Sequence, residues 1–319
     1  MINSDVILWL MDSDISIQYQ VHRDLLGNDD LKLRSRISLE GWGKQYLDAT
    51  NQKGQWGQDY YQPKWISTHY TLLDLKNLNI DPKHFSIVQI VNDVLTHEKG
   101  PDGGILPIGT VKKSDVCVNG MALNFSAYFG ANENDLKSVV DFIISEKMSD
   151  GGFNCQSNRK GAHHSSMHST ISVAEGMFEY LKHGYTYRQS EIKESLASCV
   201  EFLLLHHLYK SDKTGEIINP NFLKLYYPSR WYYDILRALD FFQYAQVDYD
   251  PRMDAALDVL IVKRTKDAFW KVASPHPGKI HFVMEKAGQP SRWNTLRALR
   301  VLLKYRPNIT FFKINFNHV

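Results

Sequence analysis

The side chains best equipped for chemistry gather between Asp115 and His168. This stretch holds Asp115, Cys117, Cys155, His163, His164 and His168, the donor types that zinc takes three or four at a time, with a position left open when the metal is catalytic. His164 and His168 are four residues apart, the spacing that places two side chains on one helix face. The same residues also have a purely structural use, because free cysteines behave as small buried hydrophobes and histidines can hydrogen-bond at a helix start. Three cysteines are an odd number and too few for a disulfide scaffold, so reduced thiols are expected.

A second set of residues is cationic and aromatic. Pro228-Ser229-Arg230-Trp231 recurs as Pro290-Ser291-Arg292-Trp293, with Pro63-Lys64-Trp65 as a shorter relative. Proline suits the first turn of a helix, but a cation there opposes the macrodipole at a cost of about 0.3–1 kcal/mol, and a cost met three times suggests a use. If these helices run parallel, their N-termini share one mouth that already favours an anion. Arginine forks there would hold a diphosphate or carboxylate head, with Lys64, Trp65, His164, Arg230, Trp231, Tyr233, Arg292 and Trp293 as the candidate substrate-binding set. The alternative is that each arginine pairs with an internal acid such as Asp14, Asp115 or Asp234 and each tryptophan seals a junction.

The elements that must position these groups repeat. Five turns, at Lys53-Gly54-Gln55-Trp56, Asp102-Gly103-Gly104-Ile105, Asp150-Gly151-Gly152-Phe153, Thr214-Gly215-Glu216-Ile217 and Asp267-Ala268-Phe269-Trp270, recur about every fifty residues, the mark of stacked helical hairpins that bury their apolar faces only against neighbours. Between the turns, amphipathic stretches (Leu31 to Ala49, Phe85 to His97, Asn132 to Met148, Glu191 to His206, Arg252 to Lys263) alternate with stretches that are apolar nearly all round. A helix without a polar face belongs inside. Six such inner helices, beginning near Ser13, Trp65, Asp115, His164, Arg230 and Arg292, predict an all-α fold. The simplest closed form is an α/α toroid of five to six hairpins, with a parallel inner ring and an antiparallel outer ring. The expectation is one domain over residues 1–319, with 209–227 and 273–289 as long rim loops of the kind that serve as lids or binding loops.

Composition narrows the function. A net charge of +2 spread over 319 residues lacks the basic stripe of a nucleic-acid binder. The apolar run from Val6 to Met11 stops at Asp12, too short for a signal peptide or an integral membrane span, so a cytoplasmic location is expected.

The register Leu-x3-Gln-x3-Gly-x-aromatic is matched, with the Gln replaced, by Ile143-x3-Lys147-x3-Gly151-x-Phe153, Leu95-x3-Lys99-x3-Gly103-x-Ile105 and Leu260-x3-Arg264-x3-Ala268-x-Trp270. In this the chain resembles the prenyltransferase and squalene-cyclase repeat superfamily, which implies a toroid around a cavity for an isoprenoid or similar lipid. Asp12-Ser13-Asp14 and Asp248-Tyr249-Asp250 do not match the acidic motif of the polyene cyclases, which disfavours that chemistry. Asp115-Val116-Cys117 and His168, about one repeat apart, are similar to the zinc ligands of protein prenyltransferase beta subunits. The resemblance therefore implies Asp115, Cys117 and His168 as catalytic metal ligands, with Cys155 as a further candidate, and a zinc-assisted transferase. Two other readings stand beside it. One is a polysaccharide lyase or hydrolase on the same architecture, and the other a non-catalytic lipid- or peptide-binding scaffold. A deep apolar tunnel favours the isoprenoid, a polar open groove favours the sugar, and a filled core favours the scaffold.

Overall fold

The computed structural model describes residues 4–108 and 111–308. Its helices follow in the order α1 (Ser4–Met11), α2 (Ile15–Leu25), α3 (Leu31–Arg36), α4 (Gly41–Asp48), α5 (Thr68–Asn77), α6 (Phe85–His97), α7 (Val116–Tyr128), α8 (Glu133–Ser145), α9 (Ser157–Lys160), α10 (Met167–Lys182), α11 (Gln189–Leu205), α12 (Ile235–Tyr244), α13 (Asp254–Val262) and α14 (Arg292–Tyr305). Among the described residues the only sheet is a two-residue pairing of β1 (Trp270–Lys271) with β2 (Pro290–Ser291).

The two helix classes read from the sequence are the two layers of an α/α toroid. In α7 every residue except Cys117 is buried, as a helix walled in on all sides requires. Helix α8 instead buries only Leu136, Val139, Val140, Phe142 and Ile143 and is capped by Asn132, whose side chain accepts from Asn134 N. The inner ring is α2, α5, α7, α10, α12 and α14, and it closes where α14 packs on α2. Across that seam Arg300 Nη1 lies 2.7 Å from Asp24 Oδ2.

The repeated turns lock the layers together by one recurring device. The key residue of each turn, Gly54, Gly103, Gly151, Gly215 or Ala268, is left-handed in all five, with φ of 72°, 83°, 93°, 72° and 66°. In four of them the backbone N–H of the turn's last residue then donates to a side chain on the next inner helix. Trp56 donates to Thr68 Oγ1, Ile105 to Asn119 Oδ1, Phe153 to Thr170 Oγ1 and Trp270 to Thr295 Oγ1, at 3.2, 2.7, 3.0 and 3.1 Å.

Two expectations are corrected. The stretch from Leu31 to Ala49 is two helices, because Gly41 takes φ 63° and Asp14 Oδ2 accepts from Trp42 N at 2.7 Å, breaking the run. The fifth inner helix starts at Ile235, not near Arg230. Arg230 has φ 55° and cannot begin a right-handed helix, and Asp234 provides the cap by accepting from Arg237 N. Lys64 likewise lies in a short 3₁₀ turn, Lys64–Ile66, ahead of α5. No helix among the described residues is long and apolar enough to cross a membrane.

Candidate functional site

The N-terminal ends of the inner ring share one mouth, and most of the residues singled out in the sequence meet there. The Lys64 ammonium lies 4.9 Å from the ring centres of both Trp65 and Trp231, and Asp115, Cys117 and Cys155 lie within its electrostatic reach. Burial pushes its pKa down nonetheless. Trp231 stacks on Tyr232 at 3.9 Å, and the Trp231 and His168 rings meet edge to face at 5.1 Å. Arg230 is buried, donates to Trp65 O at 2.9 Å and reaches no closer than 3.9 Å to Asp74.

The loop 273–289 lies over this mouth as a strap. Pro277 O accepts from Trp65 Nε1 at 2.6 Å, His281 Nε2 meets the buried Thr71 Oγ1 at 2.9 Å, and His276 stacks on Tyr232 at 3.3 Å. Gly278 sits so close to Trp65 that an added Cβ would come within 2.3 Å of its ring. The aromatic mouth is therefore closed by the chain itself.

Four candidates stand elsewhere. Arg292 opens α14 but turns outward, donating to Trp9 O and Asp12 O and covering the Trp9 ring. It does not join Arg230 at a common anion-binding rim, so the paired-arginine expectation fails. His164 is exposed in the loop before α10 and is not on a helix face with His168. Tyr233 is buried and spends its hydroxyl on Leu208 O at 2.5 Å. Trp293 is buried between Tyr227, stacked at 4.4 Å, and Trp42 at 6.1 Å, but it borders a different space, described below.

The zinc donors do not fit the metal. Among the described residues no three His, Cys, Asp or Glu side chains are grouped so that they could hold an ion, whereas zinc asks for three or four donors. His168 Nδ1 accepts from Tyr233 N at 2.8 Å, and burial holds its ring neutral with a pKa of about 4. The neighbouring Cys155 together with burial raises the Cys117 thiol well above its usual range.

The second space is a half-open cavity of about 140 Å³ lined by residues of all six inner helices, running toward their C-terminal ends. Its walls are charged. Arg23, Lys76, Arg230, Arg237, Arg297 and Arg300 face only Glu175, Glu179 and Asp240 among the lining acids. Arg237 grips Glu175 with two bonds of 2.9 and 2.7 Å, Lys76 meets Glu179 at 2.9 Å, and Asp240 takes Arg297 at 3.1 Å and Arg300 at 2.6 Å. Asp24 and Asp74 add counter-charge from behind the wall, and burial raises the pKa of Asp74 and of the nearby Asp234. Among the side chains that line the cavity itself, cations outnumber carboxylates.

Trp293 and Asn124 also line this wall, and Trp293 Nε1 and Asn124 Oδ1 are buried atoms without a protein partner, in side chains only 1% and 2% exposed. An unpaired buried donor or acceptor costs about 1–3 kcal/mol, so a guest or water that reaches and pairs with them is favoured. The spacing of the turns and tetrapeptides points to none of Arg237, Arg297, Arg300 or Asn124, yet for the arginines a signal is present. Leu236-Arg237-Ala238-Leu239-Asp240 and Leu296-Arg297-Ala298-Leu299-Arg300 repeat one charged pentapeptide within helices otherwise apolar enough to be buried.

The architecture places the chain among α/α toroids. No protein-family model and no curated protein sequence matches it. The solved structures it resembles include a polysaccharide lyase (13% identity, 94% of this chain and 95% of that one, TM-score 0.51) and a glycosyl hydrolase family 88 protein from Bacteroides vulgatus (13%, 91% and 89%, TM-score 0.49). A type II terpene cyclase from Scytonema, solved with merosterolic acid A, is similar at 15% identity over 86% of this chain and 96% of that one, with a TM-score of 0.37. At these identities the likeness is one of fold.

Proposed function

We propose that the chain binds an acidic saccharide in the interior cavity of its toroid, as the recognition step of a lyase- or hydrolase-type activity. The observation that carries this reading is the cavity wall, where six cationic side chains face three lining carboxylates and both Trp293 Nε1 and Asn124 Oδ1 await partners. An excess of cations over carboxylates among the lining side chains favours an anionic guest. The amides of Asn77 and Asn124 on the same wall suit the hydroxyls of a sugar.

An isoprenoid chain is a poorer guest. Its hydrocarbon would strip water from arginines and carboxylates without replacing their hydrogen bonds, which is costly. A diphosphate head alone would satisfy the cations, so the experiment must separate head from tail. Calorimetric titration with glucuronate, glucose, inorganic phosphate and geranylgeranyl diphosphate does so. Glucuronate is expected to bind at least tenfold more tightly than glucose, and the lipid diphosphate no more tightly than phosphate. Tighter binding of the lipid than of phosphate would return the isoprenoid reading to first place.

A further inference from the structure

Resting on the acidic-saccharide reading, we propose that the open end of the cavity carries a second anion subsite, built on Arg34 and Lys182. The ligand is then an acidic oligosaccharide, with one unit in the cavity and the next on the rim. Arg230 and Trp293, at the strap end of the cavity, are buried, whereas Arg23, Lys76 and Tyr244, at the C-terminal ends of the inner helices, are partly exposed. A ligand therefore enters from the C-terminal side. At about 140 Å³ the cavity falls short of the roughly 300–1,000 Å³ of pockets that enclose a drug-sized ligand, so a longer guest projects through that opening.

Two tyrosines at this end each hold a cation by a neutral oxygen. Tyr128, the last residue of α7, gives its own proton to Ile80 O at 2.6 Å, and its Oη accepts from Arg34 Nη2 at 2.9 Å. Tyr244, the last residue of α12, gives its proton to Glu179 Oε1 at 2.8 Å, and its Oη accepts from Lys182 Nζ at 2.5 Å. Neither cation forms an ion pair among the described residues, and Asp81 and Glu179 act on Arg34 and Lys182 only at longer range. The carboxylates at this end are already held, Asp24 by Arg23 and Arg300 at 2.6 and 2.7 Å, and Glu179 by Lys76 at 2.9 Å. Lys76 and Arg23 also act on Lys182 as like charges. Cations gathered in this way repel one another, and an anion seated among them relieves the repulsion. Lys182 is exposed and Arg34 partly exposed, so both can meet a unit that lies outside the cavity. A cation in the last turn of α10 is favoured by the helix dipole in any case, so a ratio of ligand affinities, not stability, reveals the subsite.

Calorimetry on the whole chain at about 50 mM salt, where exposed charges are only weakly screened, compares three probes. They are glucuronate, its 1,4-linked dimer diglucuronate, and glucuronyl-glucose, which has the length of the dimer but one charge fewer. With about threefold from each of the two rim cations, diglucuronate is expected to bind about tenfold more tightly than either of the others. In Lys182→Gln that ratio should fall to about threefold, and in Lys182→Arg, which keeps the charge, it should stay near about tenfold. Lys182 is on the surface, so neither change threatens folding. If diglucuronate binds no more tightly than glucuronate, the rim subsite is wrong while the cavity reading stands. If glucuronyl-glucose matches diglucuronate, length and not charge is recognised, and the subsite is again wrong. A ratio that survives Lys182→Gln places the second anion elsewhere and overturns the assignment to this rim. Failure of all three sugars to bind overturns the subsite and the cavity reading together.

Discussion

Lowering the pH should unlatch the strap and then unfold the protein, because four histidines around the mouth are held neutral. His69 is fully buried, shares its Nδ1 with Tyr60 Oη at 2.6 Å and has a pKa pushed down to about 3 by burial. His168, His276 and His281 are only partly buried, and each is pushed down to about 4 by burial, with Arg237 acting on the first and Arg230 on the other two. A histidine depressed in the folded state adds its full stability above the unfolded pKa of about 6.5 and loses it as pH falls toward the folded value. At about pH 5 the unfolded chain gains about 2 kcal/mol for each histidine that charges there and not in the fold. His69 should show that full amount. For the other three, solvent screening reduces it to roughly 1 kcal/mol each, giving a total near about 5 kcal/mol, comparable with the whole stability of many domains. Urea unfolding at about pH 7.5 and about pH 5, at one ionic strength, measures the difference. His276 and His281 bind the strap, so Trp65 fluorescence, reporting its bond to Pro277 O, should change before the global transition. A stability loss below about 1 kcal/mol would refute neutral burial of these histidines.

Four substitutions test the framework and the cavity. Gly176→Ala gains about 1 kcal/mol of helix propensity but drives a methyl into Gly120 O, and the overpacking should leave the protein about 1–3 kcal/mol less stable by thermal unfolding. Ala268→Gly relieves the left-handed φ of 66°, worth about 1–2 kcal/mol against the roughly 0.4–1 kcal/mol of added unfolded-state freedom, so a net gain of about 0.5–1 kcal/mol is expected in denaturant melts. Arg300→Met leaves Asp24 with Arg23 and Asp240 with Arg297 as their remaining partners and should cost about 1.5–3 kcal/mol, more than any exposed charge removal, by the same assay. Trp293→Phe deletes the unpartnered Nε1 donor, and loss of one hydrogen bond of about 1 kcal/mol should weaken glucuronate binding about fivefold in calorimetry.

The fold is legible in the sequence because its signal is periodic. A left-handed turn residue and a buried helix after it recur from repeat to repeat, so one misjudged position does not disturb the whole. The site is legible only in part, since periodicity places a residue at a height on the ring but not at an angle around the helix. Lys64, Trp65, Asp115, Cys117, Cys155, His168, Arg230 and Trp231 come to one mouth as their equivalent positions imply. Arg292 occupies the same place in its tetrapeptide as Arg230, yet the two diverge because Arg230 sits in a left-handed turn ahead of the Asp234 cap while Arg292 is already in helix. The strap's role as a closure is hidden from the sequence because its contacts, from His281 to Thr71 and from Pro277 to Trp65, span more than half the chain. The charged interior is obscured for another reason. Arg237, Arg297 and Arg300 lie on helices whose other residues are largely apolar, and only the closed ring shows that their charged faces converge.

The most direct measurement is a crystal structure grown with glucuronate. The expected result is a carboxylate within hydrogen-bond distance of Trp293 Nε1 and the Arg230 guanidinium, with sugar hydroxyls on Asn124 Oδ1. A cavity holding only ordered water at saturating glucuronate, with Trp293 Nε1 and Asn124 Oδ1 paired to that water, would contradict an acidic saccharide as the ligand.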